Sequence, residues 1–442
     1  MLKFGTDGVR GEFGTELTES YAASLALAVV EIMACTKVVI GRDTRESGLA
    51  LETAIAGALT AHGVGVQLMG MVPTPAIAFV AAQHDILAIA ITASHNLFQD
   101  NGIKIFGAGG RKLSEQEQDR IEQHLSSGIV TESRVAGVGL SIGSKMHEEF
   151  LQEYCDFIVG LSRPDSLKNL HIALDCANGA FSNIAPEVFA KLGATVTTIN
   201  ATPDGRNINL NCGATHPQAL GEVVKSVGAH FGVAFDGDGD RLIAVDSDGE
   251  VIDGDHLLAM SAIEMKRQNI LRNNKVVVTV MTNIGLHQSM KKAGIDVVTT
   301  PVGDRSVLVA LEENLAVLGG EQSGHIIYRN LATTGDGLLA ALKLAELLLT
   351  SGKSLTEIAS QAMTSYPQVL LNLRVSKRVE NIEQLFAGEI ATAVKLLDDD
   401  GRVLVRASGT EPVVRVMVEA SKQSIAEDVA TTLAEAITAR LG

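Results

Sequence analysis

The chain lacks, or contains little of, several residue types on which whole classes of protein depend. It contains no tryptophan, and only 4% of its 442 residues are aromatic, so small aliphatic side chains must fill most of its core. Its four cysteines are widely spaced and form no C-x-x-C pair, which argues against a thiolate metal centre and favours a reducing compartment. With 46% apolar residues, this composition suits layered α/β structure better than a β-sandwich.

An excess of positive charge is also absent. The formal net charge is −16, and because nucleic acids and anionic membranes are polyanions, it argues against broad binding to either. A small phosphorylated ligand is still compatible, since a few arginines and helix N-termini can form a local cationic pocket.

No apolar segment is long enough to be a membrane anchor. The apolar run 21–30 ends at Glu31, far short of the roughly 20 residues that span a bilayer, and the N-terminal segment has no apolar signal core. We therefore expect a cytoplasmic protein that binds neither nucleic acid nor membrane.

The chain is too long to fold around a single hydrophobic core, and its length predicts roughly three or four domains. An apolar run, a polar turn and a segment with helical spacing follow one another three times, at 37–48, 171–180 and 275–286. Such strand–loop–helix units build largely parallel sheets covered on both faces. Their spacing of about a hundred residues or more predicts three related α/β domains.

The C-terminal stretch has a different pattern. Segments 367–377, 401–409 and 413–420 read as strands, and two helical segments lie between and after them. Few strands with two helices predict a small α+β domain. The resulting predicted domains are 1–150, 151–250, 251–365 and 366–442.

Ser94 and His95 follow a segment, 86–93, that reads as a buried strand. In open α/β sheets ligands bind at that end of a strand, although a capped turn is the plain alternative. A serine next to a histidine in sequence is not a catalytic triad. A serine that already carries a phosphoryl group, by contrast, needs only electrostatic stabilisation and a metal.

Asp236, Asp238 and Asp240 alternate with glycines at the end of another apolar strand. Three such carboxylates can converge on one hard cation, and oxygen ligands suit Mg²⁺ that holds a phosphate. A calcium EF-hand is excluded because its sixth and twelfth positions hold Arg241 and Ser247. An acidic hairpin turn is the alternative, but carboxylates clustered without a cation would repel one another.

Two further segments carry weaker signals. In 319–325, a glutamate and a serine lie between glycines and could hydrogen-bond sugar hydroxyls. Segment 406–412, with Arg415 beyond it, offers two hydroxyls, a glycine amide and guanidiniums that could bind a dianion. Taken alone, segment 319–325 is an ordinary loop, and segment 406–412 could equally be a hairpin between edge strands.

In this order, the four segments resemble the α-D-phosphohexomutase superfamily along nearly the whole chain. FGTDGVRG at 4–11, DGDGDR at 236–241, GEQSGH at 320–325 and RASGTEP at 406–412 are similar to its bacterial branch that acts on glucosamine phosphates. The resemblance implies three similar α/β/α domains with mixed sheets and a C-terminal α+β domain around a central active-site cleft.

The resemblance also implies an activity. Glucosamine 6-phosphate and glucosamine 1-phosphate would be interconverted through a phosphoserine enzyme and a glucosamine 1,6-bisphosphate intermediate. The product leads toward UDP-N-acetylglucosamine and peptidoglycan. The nearest rival is a phosphomannomutase/phosphoglucomutase, and a rival of another class is a catalytically silent regulator that binds sugar phosphates.

The resemblance assigns reaction roles to residues of these motifs. Phosphorylated Ser94 would be required for activity and would give a phosphate oxygen to one Mg²⁺ per active site. Arg241 would compensate the charge of the transferred group, with Arg10 in the same site. Lys104 is a candidate for proton transfer with the reacting hydroxyl, and His325 is a second. The protein's own metal ligands would be Asp236, Asp238 and Asp240.

Substrate binding is assigned in the same way. Glu321 and Ser323 would hold the hydroxyls of a small-molecule sugar phosphate. The phosphate that is not reacting would be bound by Arg406, Ser408, Gly409, Thr410 and Arg415. One fixed phosphate clamp would explain how either end of the sugar can reach Ser94. A homodimer is expected from the resemblance alone.

Two positions depart from the family pattern. Leu97 stands where proline commonly follows asparagine, which affects the rigidity of the turn after Ser94 more than its chemistry. Thr92 stands where the glucosamine branch usually has serine and the hexose mutases have threonine. Gly239 and Gln322 favour the glucosamine branch.

Overall fold

The computed structural model describes residues 2–5, 7–127, 144–376, 379, 381–407 and 413–442. The chain forms two compact units, of which the first comprises Met1–Met281 with Ile295–Gln361, and the second Thr282–Gly294 with Ala362–Gly442. Within the described ranges no helix combines the length and the apolar character needed to cross a membrane.

The first sheet of the first unit has the strand order β1-β5-β4-β2-β3, with β6 beside β5. Its strands are β1 (Val9–Glu12), β2 (Lys37–Arg42), β3 (Gly65–Met71), β4 (Leu87–Ile91), β5 (Asp100–Gly107) and β6 (Arg111–Lys112). Strands β2, β3 and β4 are parallel, whereas β5 runs antiparallel to β4 and to β1.

Side chains cap two of the helices that accompany this sheet. The accompanying helices are α1 (Glu19–Ile32), α2 (Gly48–Ala61), α3 (Thr74–His84), α4 (Glu115–Ser126) and α5 (Ser144–Gly160). Thr18 caps α1, and Ser114 with Glu117 forms a capping box at α4. The core beneath them consists of small aliphatic side chains such as Leu25 and Ile40, as the lack of aromatics requires.

The second sheet repeats the arrangement in the order β11-β10-β9-β7-β8. Its elements are β7 (His171–Asp175), α6 (Ile184–Lys191), β8 (Thr195–Ile199), α7 (Gln218–Val227), β9 (Phe231–Phe235), β10 (Leu242–Val245) and β11 (Val251–Ile252). Strands β8, β7 and β9 are parallel, and β10 returns antiparallel to β9.

The third sheet has the order β13-β12-β14-β15. Along this part of the chain lie α8 (Gly254–Arg267), β12 (Lys275–Thr279), α9 (Ile284–Ala293), β13 (Asp296–Thr300), α10 (Asp304–Glu313), β14 (Leu318–Gly320), β15 (Ile326–Tyr328), α11 (Gly337–Ser351) and α12 (Leu355–Ala362). Strands β13, β12 and β14 are parallel, and β15 returns antiparallel to β14.

The remaining elements belong to the second unit, in which the antiparallel order is β16-β18-β17. They are β16 (Gln368–Arg374), α13 (Ile382–Leu385), α14 (Ala387–Leu397), β17 (Gly401–Ala407), β18 (Val413–Ala420) and α15 (Gln423–Leu441). Helix α9 also packs in this unit, because the Asn283 amide donates to the carbonyl oxygen of Tyr366 at 2.9 Å. The predicted α+β domain is confirmed.

The prediction of three related α/β domains is confirmed, but the expectation from the strand–loop–helix pattern that their sheets are largely parallel needs correction. Each sheet has a parallel core that ends in an antiparallel hairpin, namely β4–β5, β9–β10 and β14–β15. The mixed sheets implied by the family resemblance are therefore correct. A short apolar strand looks the same in sequence whichever direction its neighbour runs, so the local pattern could not show the hairpins.

Candidate active site

The three equivalent hairpins carry the residues that the sequence singled out. The serine loop (residues 92–99) joins β4 to β5, the aspartate loop (236–241) joins β9 to β10, and the glutamate loop (321–325) joins β14 to β15. Since all three loops leave a parallel core strand at its carboxyl end, they occupy the sheet edges where α/β proteins bind ligands.

Ser94 lies at the meeting point of the serine and aspartate loops. Its hydroxyl donates a hydrogen bond to Asp236 Oδ2 at 2.6 Å, and the residue is buried. Its φ of +53° lies in the left-handed region, which a residue other than glycine or asparagine seldom adopts. The ring of His95 is only loosely placed against the hydroxyl, at 3.4 Å. Burial, Arg241 and Arg10 lower the pKa of His95 to about 4.

The aspartate loop gathers three buried carboxylates. One oxygen each of Asp236, Asp238 and Asp240 lies within 4.8 Å of the others. Asp236 Oδ1 accepts hydrogen bonds from the backbone N–H groups of Gly239 and Arg241 at 3.1 and 3.2 Å, which curl the loop around it. Burial and the carboxylates of Asp240 and Asp238 raise the pKa of Asp236 to about 8. The cluster therefore carries the mutual repulsion that a bound cation would relieve.

The free oxygens of this cluster fit a metal ion. Oδ1 of Asp238 and Oδ1 of Asp240 are buried and have no hydrogen-bond partner within the described part of the chain. The Oδ2 atom of each accepts from Lys104 Nζ at 2.8 Å. Two unpartnered carboxylate oxygens beside Asp236 form the all-oxygen donor set that a hard divalent cation prefers.

Lys104, on β5, supplies the positive charge within the acidic cluster. It is buried and also forms an ion pair with Asp7 at 2.7 Å. Burial by itself would lower the pKa of Lys104, but the carboxylates of Asp238, Asp240 and Asp7 outweigh it and hold that pKa well above its usual range. In this arrangement Lys104 is a charged partner of the metal-ligand candidates.

Asp7 and Thr74 belong to the site although sequence reasoning did not select them. Asp7 pairs with Lys112 as well as with Lys104, and Lys112 reaches Asp304 at 2.7 Å. Thr74, the first residue of α3, donates its hydroxyl to Asp238 Oδ2 at 2.6 Å. The acid within FGTDGVRG was a signal that could have identified Asp7, whereas nothing near Thr74 in sequence distinguishes it.

A cavity of about 320 Å³ opens beside the cluster. Its charged and polar lining includes Arg10, Asp240, Arg241, Asp304, Glu321 and His325. Glu321 Oε1 accepts from the Gly303 N–H at 3.0 Å, which fixes one edge of its carboxylate. Ser323 is exposed and is not among the described residues that line this cavity.

His325 is buried and lines the cavity. Its Nε2 accepts a hydrogen bond from the Gly335 N–H at 3.2 Å, and its Nδ1 lies 3.8 Å from Asp240 Oδ2. Because Nε2 accepts, the proton of the ring is on Nδ1 and faces Asp240. Only Nδ1 could then exchange a proton with a ligand.

Arg406 and Arg415 lie in the second unit, directly opposite each other on β17 and β18. Burial and the neighbouring Arg415 lower the pKa of Arg406. Nε of Arg415 is buried without a hydrogen-bond partner among the described residues. Two guanidiniums placed together in this way suit an anion. Ser408, Gly409 and Thr410, also predicted for this site, lie outside the described residues.

Comparison with known proteins covers almost the whole chain. The models of the phosphoglucomutase/phosphomannomutase family match as alpha/beta/alpha domain I at residues 1–132, domain II at 152–249, domain III at 253–366 and the C-terminal domain at 370–436. A solved structure from Burkholderia thailandensis, described as a phosphoglucomutase/phosphomannomutase family protein, has a TM-score of 0.81 and 25% identity, with 98% of this chain and 97% of that chain covered.

Curated relatives are more similar in sequence. The phosphoglucosamine mutase of Rhodococcus jostii is 45% identical, with 98% of each chain covered. The phosphoglucosamine mutase of Clostridioides difficile is 43% identical, with 99% of each chain covered. With all four domains matched in order, the chain belongs to the phosphoglucomutase/phosphomannomutase family.

Proposed function

We propose that this chain is a phosphoglucosamine mutase that interconverts glucosamine 6-phosphate and glucosamine 1-phosphate. The observation that carries the proposal is the 2.6 Å hydrogen bond from Ser94 Oγ to Asp236 inside a buried triple-aspartate cluster. The relatives' shared activity supports glucosamine as the sugar. Thr92 is the one feature that favours the hexose mutases.

The reaction moves a phosphoryl group between Ser94 Oγ and the sugar. A hydroxyl oxygen of glucosamine 6-phosphate attacks the phosphorus of phosphorylated Ser94, the P–Oγ bond breaks, and glucosamine 1,6-bisphosphate forms. The bisphosphate then reorients and returns its other phosphoryl group to Ser94 Oγ. Each half-reaction conserves the number of phosphoryl groups, so no outside donor is required once the serine is phosphorylated.

The acidic cluster and the neighbouring arginines have different electrostatic roles in the reaction. Asp236, Asp238 and Asp240 would hold one Mg²⁺, which when bound neutralises charge on the transferring phosphoryl group. Arg241, whose Nε lies 3.9 Å from Asp236 Oδ2, would compensate charge on the same phosphoryl group as transfer proceeds. Arg10 on the wall of the cavity adds a second guanidinium.

In the first half-reaction the attacking sugar hydroxyl loses its proton, and the leaving Ser94 Oγ gains one. In the return step Ser94 Oγ loses its proton as it attacks, and the sugar oxygen that is released gains one. Lys104 and His325 are our two candidates for this transfer. Lys104 donates to Asp238 and Asp240 in the present arrangement, so it can accept a proton only after losing one. His325 offers Nδ1 alone, because Nε2 accepts from Gly335.

Recognition of the sugar is assigned to two sets of residues. Glu321 and Ser323 bind sugar hydroxyls, and Glu321 is already oriented by the Gly303 N–H. The phosphate that is not reacting is bound by Arg406, Ser408, Gly409, Thr410 and Arg415. We expect the enzyme to work in the cytoplasm, as a homodimer, without nucleic-acid or membrane partners.

Coupled assays with the 1-phosphates or 6-phosphates of glucosamine, glucose and mannose test this function. Phosphorylated enzyme with saturating Mg²⁺ should show the highest kcat/KM with glucosamine phosphate. A preference for mannose or glucose phosphate would replace the proposal by a phosphomannomutase/phosphoglucomutase. Binding without turnover of all three sugars would indicate a silent sugar-phosphate-binding regulator.

A further inference from the structure

One buried guanidinium fastens the serine loop. The Arg45 side chain is fully buried, and its Nε donates to Asp43 Oδ2 at 2.9 Å. Its remaining N–H groups donate to main-chain carbonyl oxygens of the serine loop and the start of β5, those of Ser94 (3.1 Å), Asn96 (2.8 Å), Asp100 (3.0 Å) and Leu97. All five donors of a guanidinium are thereby used.

A second side chain, from the neighbouring domain, holds two of these carbonyl groups. Asn209 is buried, and its Nδ2 donates to the carbonyl oxygens of Ser94 at 2.9 Å and Asn96 at 3.0 Å. The aspartate loop closes against this contact, since a Cβ on Gly237 would lie 2.7 Å from both Asn209 Nδ2 and the Ser94 carbonyl oxygen. Only glycine leaves room for the amide to reach the serine loop.

The other side of Ser94 is held as well. Its N–H donates to Thr92 Oγ1 at 2.9 Å, and the Thr92 hydroxyl donates to Asp43 Oδ2 at 2.7 Å. Asp43 is the carboxylate that also pairs with Arg45. The backbone N–H and the carbonyl group of Ser94 are therefore both held by hydrogen bonds. Its φ of +53° is a conformation that persists only where the surroundings determine it.

We propose that Arg45 and Asn209 are positioning residues for phosphoryl transfer. They act through the Ser94 carbonyl group, which they hold so that Ser94 Oγ faces Asp236. The proposal rests on the proposed mutase function and deepens it.

Asn209→Asp is the sharpest test, because it keeps the shape of the side chain and its tolerance of a left-handed backbone. It places an oxygen opposite two carbonyl oxygens. We expect kcat to fall about 10- to 100-fold, as for a small misplacement of a reacting group, with KM for the sugar phosphate changed less than about threefold. Asn209→Gly removes the amide without adding charge and should lower kcat in the same direction.

Asn273 provides a matched control. Its φ is +59°, and its Nδ2 likewise donates to a backbone carbonyl oxygen, that of Asn314 at 3.1 Å. It lies before the amino end of β12, whereas the serine, aspartate and glutamate loops follow the carboxyl ends of their strands. Asn273→Asp should leave kcat and KM unchanged.

Hydrogen exchange at the amides of residues 94–97 gives a readout that needs no substrate. Exchange there should quicken in both Asn209 variants and in Arg45→Lys, which keeps a charge beside Asp43 but lacks the fork of donors. The proposal is overturned if folded Asn209→Gly and Asn209→Asp retain kcat within threefold of the wild type. It is equally overturned if exchange at 94–97 is unchanged in them.

The same experiment separates this proposal from the proposed function. Variant-to-wild-type ratios of kcat are taken with whichever hexose phosphate the wild type converts. If the wild type prefers another sugar, the glucosamine assignment is overturned. The positioning role is then tested by the same kcat ratios, measured with that sugar.

Discussion

Thr74 holds Asp238 by two hydrogen bonds, one from its hydroxyl to Oδ2 at 2.6 Å and one from its backbone N–H to the Asp238 carbonyl oxygen at 2.9 Å. The contact joins the start of α3 to the aspartate loop across 164 positions of sequence. Together with Lys104 it occupies Oδ2 of Asp238, so that Oδ1 is left as the oxygen available to a cation.

Thr74→Val should therefore weaken the metal site while it preserves the shape of the helix start. Loss of a hydrogen bond to a charged group costs about 1.5–3 kcal/mol, part of which should be a lower affinity for Mg²⁺. We expect the Mg²⁺ concentration for half-maximal activity to rise about tenfold or more, with kcat reduced. A Mg²⁺ titration of activity measures this.

Thr74→Ser is the matched control, because it keeps the hydroxyl and should keep the Mg²⁺ dependence of the wild type. Identical Mg²⁺ curves for the valine variant and the wild type would show that the Thr74 hydroxyl does not position Asp238.

Ser94→Ala should abolish both the covalent phosphate and the activity. Wild-type protein incubated with a hexose 1,6-bisphosphate should gain one phosphoryl group in its intact mass, and the alanine variant should gain none. Ser24→Ala, which removes an exposed hydroxyl on α1 that bonds only the Ser20 carbonyl group in the described chain, should behave like the wild type. Phosphate found stoichiometrically on the Ser94→Ala protein would place the carrier elsewhere.

The local sequence singled out the residues that meet at the candidate active site better than the residues that hold them in place. Ser94 and Asp236 each follow an apolar strand and belong to recognisable motifs. Thr74, Arg45 and Asn209 act through contacts with residues far away in sequence, and a threonine, arginine or asparagine in a turn has many ordinary uses. Such roles follow from the tertiary arrangement, which composition and spacing do not specify.

The same distinction applies to the fold. Apolar runs predicted β2, β7 and β12 as strands of parallel sheets, and each does have parallel neighbours. The local pattern did not predict the hairpins that carry the candidate active-site loops, because a buried strand has no periodicity that shows the direction of its partner.

Gly239→Ala should destabilise the aspartate loop. Gly239 has a φ of +76°, and a Cβ there would lie 2.3 Å from a ring carbon of Phe181. The substitution therefore adds a clash to the left-handed penalty of about 1–2 kcal/mol. We expect a free energy of unfolding lower by about 3 kcal/mol or more, since core overpacking typically costs a further 1–3 kcal/mol, and strongly reduced activity. Denaturant titration and kinetics test both.

Gly63 separates the two contributions. Its φ is +78°, and a Cβ there would meet no described atom within 4 Å. Gly63→Ala therefore lowers the free energy of unfolding only by the cost of a left-handed backbone conformation. If both alanine variants lose the same stability, contact with Phe181 is not the reason that position 239 holds glycine.

Arg415→Met should lower affinity for the sugar phosphate without destabilising the second unit. Arg406 and Arg415 are directly opposite on neighbouring strands, an arrangement of like charges that is unfavourable unless an anion lies between them. Removing one charge relieves this repulsion and also removes a guanidinium that we propose as a ligand of the non-reacting phosphate. We expect KM for glucosamine 6-phosphate to rise about tenfold or more, with the melting temperature in the absence of ligand unchanged or higher.

Arg374→Met is the comparison for Arg415→Met, because Arg374 lies in the same sheet on β16 but faces Val413 instead of another cation. Its KM should stay at the wild-type value. A similar rise in KM for both variants would mean that the sheet contributes only general positive charge. An unchanged KM for Arg415→Met would remove Arg415 from the phosphate site, since a guanidinium that binds the non-reacting phosphate contributes to substrate affinity in both directions of the reaction.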